Sequence, residues 1–127
     1  MTMASVRTGP QWTRYERILL IALLLAYVPG IPGLGVDTRE AASESAALGI
    51  VYSVALLAPL VALAASWKWP LAGAWAGVIA GVFAVALPVF DLAGALIGPP
   101  PAGMIVVNIV VAILGAVVAW RSWRLAR

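Results

Sequence analysis

Four long apolar runs alternate with short polar or turn-forming segments along this chain. The first, Ile18 to Val28 (ILLIALLLAYV), follows a polar lead carrying Arg7, Arg14 and Arg17, and it stops at Pro29-Gly30. A helix from Gln11 to Val28 has 18 residues and rises roughly 27 Å, close to a hydrocarbon core of about 30 Å. A first span is therefore expected over residues 12–28, with residues 29–35 (PGIPGLG) as a turn-rich link. Asp37-Thr38-Arg39-Glu40 then reads as an N-cap with a reciprocal acid, a variant of the capping box, opening a helix that leads to Trp67. Residues 37–45 are too polar for lipid and are expected to protrude; residues 46–66 form the second span, with Pro59 bending it.

Residues 66–70 (SWKWP) make a tight loop, and Pro70 suits the first turn of a third helix over residues 71–97. Pro88 and Asp91 fall in its second half. Residues 98–103 (GPPPAG) cannot continue a helix, so a fourth span is expected over residues 104–120, followed by a basic tail. The pattern predicts an all-α fold: a four-transmembrane-helix bundle built from two helical hairpins, in a single membrane domain over residues 1–127.

Composition supports lipid as the solvent. The chain is 64% hydrophobic and only 10% charged, against about half and about a quarter in soluble domains. A water-soluble fold of 127 residues could not hide that much apolar surface. The net charge of +3 is explained by topology. Arg7, Arg14, Arg17, Lys68, Arg121, Arg124 and Arg127 fall on one side of the predicted spans, and Arg39 alone on the other. This bias predicts a multi-pass protein of the cell membrane with both termini cytoplasmic. Trp12, Trp67, Trp69, Trp120 and Trp123 fall at the same boundary, where indole rings act as interfacial anchors. A cleaved secretory signal peptide is the alternative reading of the first apolar run.

Cys and His are both absent. That excludes disulfides, Cys nucleophiles and His general bases, and leaves no usual ligands for zinc, haem or iron–sulfur sites. No phosphate loop, nucleophile–base arrangement or metal-ligand spacing is present, so no enzyme, cofactor or metal is expected. The basic residues are interfacial rather than a nucleic-acid patch.

Three groups of residues remain as candidates. Asp91 is the acidic residue inside an apolar run, and Asn108 stands at similar depth when both are counted from the 98–103 turn. The two are expected to face each other as a polar intramembrane pair. Such a pair is either a structural hydrogen bond or, in a functional reading, a proton or cation site. Gly73, Gly77 and Gly81 recur every fourth residue on the third helix, and Ser45, Gly49 and Ser53 on the second, as helix-packing faces for this chain or another. Alanines at 112, 116 and 119 make the corresponding stripe on the fourth helix. Asp37, Glu40 and Glu44 share one helical face outside the membrane, either as a solvated first turn or as a cation or docking site.

These features suggest a non-catalytic accessory or assembly subunit, whose partners are the lipid bilayer and other membrane chains or further copies of itself. The alternative is a small oligomeric transporter or channel using Asp91 and Asn108. Spans with so few polar groups offer little lining for a pore.

Overall fold

The computed structural model describes residues 11–30, 46–95 and 99–127, and these are helical almost throughout. Four α-helices follow in order: α1 (Arg14–Tyr27), α2 (Ala46–Lys68), α3 (Pro70–Leu92) and α4 (Ala102–Ala126). Of these, α2, α3 and α4 are long and apolar enough to cross a membrane. At 23, 23 and 25 residues they rise roughly 35–38 Å.

The first helix is shorter than the expected span over residues 12–28. It has 14 residues and rises roughly 21 Å, which falls short of a hydrocarbon core. Its start is fixed by a capping box at Thr13 and Glu16: the Glu16 carboxylate accepts from the Thr13 amide at 2.9 Å, and the Thr13 hydroxyl accepts from the Tyr15 amide at 3.2 Å. Its end tightens into a 3₁₀ turn, Val28–Gly30, where proline and glycine stop the α-helix. The expected start of the second helix, with Asp37, Glu40 and Glu44, lies outside the described residues.

The third helix also stops earlier than expected, at Leu92 rather than near residue 97. Gly94 adopts a left-handed backbone with φ 76°. The Ala95 amide donates to the Phe90 carbonyl at 3.0 Å and the Gly94 amide to the Asp91 carbonyl at 2.9 Å. This is a Schellman termination, in which a residue without a Cβ takes the turn. The sequence stays apolar past this turn, to Ile97. At the other end α4 runs on to Ala126, so the basic tail is helical as far as that residue and carries Arg121 and Arg124 on the helix.

A single residue, Trp69, links α2 to α3, and Pro70 opens α3 at a position where no amide hydrogen is needed. The sharp reversal presses the two helices together: a methyl group on Gly73 would lie 3.2 Å from the Ala62 carbonyl oxygen and from the Ser66 amide nitrogen. The third helix packs between α2 and α4, and α1 closes the bundle against α2 and α4. The core gathers Leu20 and Leu23 of α1, Ala62 of α2, Ala84 of α3, and Val111 and Val118 of α4. Outside it, Ile50, Leu57, Val61, Ile79, Val82, Val106, Ile109 and Ile113 are all exposed. A surface of this kind needs an apolar solvent.

Candidate functional site

The closest packing is between α3 and α4, and it follows one repeating pattern. Buried residues of α4 are Met104, Asn108, Val111, Gly115, Val118 and Ser122, separated alternately by four and three positions. On α3 the matching set is Gly77, Gly81, Ala84, Pro88 and Asp91, again in steps of four and three. An average step of 3.5 residues keeps one face toward a partner helix over many turns. The rungs pair in antiparallel order. A methyl on Gly77 would strike the Ser122 side chain, one on Gly81 would lie 2.6 Å from the Ala119 Cα and Cβ, and one on Gly115 would meet Ala84. The last polar rung is a hydrogen bond of 2.9 Å, donated by Asn108 Nδ2 to Asp91 Oδ2. From Gly77 to Asp91 along α3, the seam advances by the same number of residues that it retreats from Ser122 to Asn108 along α4.

Both side chains of this rung are closed off, with Asp91 5% and Asn108 6% exposed. Asp91 lies in the last turn of α3, where free carbonyls make a carboxylate unfavourable. The Asn108 amide offsets that cost by placing a donor on the acid. Asn108 in turn stands near the start of α4, which begins at Ala102 after Pro101. A polar rung among small and apolar ones fixes register, because sliding either helix by a turn separates the donor from the acceptor. Among the described residues no group of acids could hold a metal ion.

A second polar cluster occupies the other end of the bundle. Glu16 is 7% exposed, and Arg121 of α4 reaches it with Nε at 2.8 Å and Nη2 at 2.7 Å. The Trp12 indole donates to the Pro70 carbonyl at 3.0 Å, and Arg17 donates to the Ser66 hydroxyl and carbonyl at 2.9 and 3.2 Å. The Arg17 guanidinium also lies 4.4 Å from the centre of the Trp67 ring, and Trp75 meets Trp123 edge-on at 5.6 Å. Lys68 sits over Trp69 and Arg124 over Trp120, each about 5.9 Å away. All five tryptophans singled out as anchors therefore lie at one end, interleaved with basic side chains. This end ties α1 to both neighbours by hydrogen bonds and an ion pair.

The sequence-derived packing faces divide in the structure. Gly73 serves α2, whereas Gly77 and Gly81 serve α4. Gly49 meets nothing within 4 Å and Ser53 is exposed, its hydroxyl returned to the Gly49 carbonyl at 2.8 Å, so these two residues do not pack against the described helices; Ser45 lies outside the described residues. On α4 the small residues at the seam are Gly115, Ala119 and Ser122, while Ala116 faces outward. A fixed spacing of four residues drifts round a helix, and the four-three alternation is the signal that would have identified Gly115 and Ser122. Glu16 was likewise legible as the reciprocal acid three residues after Thr13.

The molecule is thus a helical bundle of the membrane-spanning kind, organised on an α3–α4 seam with one closed polar rung. No protein-family model, curated protein or solved structure matches the chain.

Proposed function

We propose that this chain is a four-span protein of the cell membrane, both termini cytoplasmic, serving as a non-catalytic accessory or assembly subunit. The observation that carries the reading is the closed contact between Asp91 and Asn108. A carboxylate that couples transport exchanges with water or substrate, whereas one held by an asparagine inside a small-residue seam specifies how two helices meet. The outward face supports the same reading, since it offers exposed aliphatic side chains to lipid or neighbouring helices. The one-sided basic and tryptophan-rich end supports the orientation. On this reading α1, with its 3₁₀ extension, is the span least matched to the bilayer, and local thinning or neighbouring helices accommodate it.

Purification in mild detergent, with identification of the chains that copurify in fixed proportion, tests the role. A stable larger complex is the expected result. A homogeneous self-assembly that moves a solute when reconstituted, and loses that activity in Asp91→Asn, would replace this reading with a small transporter. Pro88, one turn before Asp91 in α3, is the feature favouring that second reading, because a helix kink beside a buried acid can open a cavity.

A further inference from the structure

A groove of about 480 Å³ runs between α1 and α4, lined by Tyr15, Ile18, Leu19, Val117 and Arg121. Its floor is aliphatic, and its polar groups belong to the tryptophan-rich end. We propose that this groove is a binding site for one anionic phospholipid, with its phosphate at Arg121 and Arg14 and one acyl chain along Ile18, Leu19 and Val117. The inference rests on the membrane reading above but not on the accessory role.

The slot is one helical turn long, from Tyr15 to Leu19 on α1 and from Arg121 to Val117 on α4, and its aliphatic wall suits the headgroup-proximal part of one acyl chain. Charge selects the headgroup. Arg121 uses two of its five donors on Glu16, leaving three N–H groups on a guanidinium whose side chain is 44% exposed. The Arg14 guanidinium lies 5.8 Å from the centre of the Tyr15 ring, which forms the groove wall. At this end Glu16 is the acidic side chain among the described residues, and it is already paired. Arginine donors beside an apolar slot match a phosphate joined to an acyl chain, and a choline headgroup would add an opposing positive charge.

The test uses the full chain purified in mild detergent, exposed to equal amounts of dioleoyl phosphatidylglycerol and dioleoyl phosphatidylcholine, with bound lipid counted by native mass spectrometry. One retained phosphatidylglycerol, preferred by about tenfold, is expected from two cations near the phosphate. Because Arg121 also holds Glu16, the variants are placed elsewhere. Val117→Trp fills the slot, and Arg14→Gln removes one cation; each is expected to lower the preference several-fold while the protein keeps its thermal midpoint. Arg124→Gln changes the net charge equally but lies against Trp120, which is not a groove residue, whereas Arg14 lies against Tyr15, which is; it is expected to leave the preference intact. Equal retention of the two lipids, an unchanged preference in Val117→Trp, or an equal loss in Arg124→Gln would each overturn the site. None of these results bears on whether other chains copurify.

Discussion

Substituting Gly81 by alanine is the most direct test of the seam. The added methyl would lie 2.6 Å from the Ala119 Cα, about 1 Å inside ordinary carbon–carbon contact. The obstacle is backbone, so no rotamer change relieves it, and α3 and α4 must separate locally. Overpacking of this kind costs typically about 1–3 kcal/mol. The same substitution at Gly49 meets nothing within 4 Å and gains helix propensity, so it should be neutral or stabilising by up to about 1 kcal/mol. The two variants add the same atoms to two helices of the same protein, and their difference of about 1–4 kcal/mol isolates the seam. The assay is reversible unfolding in mixed micelles, followed by tryptophan fluorescence. A compensating pair sharpens it. In Gly115→Ala the nearest atom is the Ala84 Cβ, so Ala84→Gly should restore part of the loss. In Gly81→Ala the Ala119 backbone is in the way, so Ala119→Gly should restore little. Equal stability of Gly81→Ala and Gly49→Ala would refute the close approach of α3 and α4.

Other substitutions probe the polar contacts. Asn108→Ala removes the amide donor to Asp91 and should cost about 0.6–2 kcal/mol in the same assay; no change would show that the rung adds nothing to stability. Tyr27→Phe should be neutral or stabilising by about 1 kcal/mol, because the Tyr27 hydroxyl is buried without a hydrogen-bond partner, and a clear loss would reveal one. Glu16→Gln should cost only about 1 kcal/mol, since Arg121 is nearly half exposed, but it should increase amide exchange in α1; unchanged exchange would refute the tie to α4. Thr13→Ala, which removes the cap, should likewise fray the start of α1 and cost about 1 kcal/mol by unfolding, and an intact first turn would refute the capping box.

The apolar runs make the helices legible in sequence, because burial in lipid or in a bundle both select the same residues. Helix ends are less legible, as α3 shows. Leu92 to Ile97 remains apolar apart from a glycine, and only the left-handed turn at Gly94 reveals that helix has ended. The similar depth of Asp91 and Asn108 can be counted from the turn they share. That they point at each other depends on rotational phase, which the alternation of Gly77, Gly81 and Ala84 with Gly115, Ala119 and Ser122 sets. The face on α2 at Gly49 and Ser53 shows the converse. Small residues at a regular spacing permit close approach without requiring it, and here no described helix takes it up. The ion pair between Glu16 and Arg121 joins residues 105 positions apart, a separation at which local pattern carries no information.

The polar rung also imposes an order on synthesis. Asn108 emerges 17 residues after Asp91, about 1–3 s later at ordinary translation rates. A lone α3 entering a bilayer during that interval would carry its acid into hydrocarbon without the amide that later receives it, at a cost of about 2.5–3.5 kcal/mol if it reached the centre. If the proposed topology holds, the α3–α4 hairpin is expected to be the unit inserted, with α3 held beside the insertion machinery until α4 arrives.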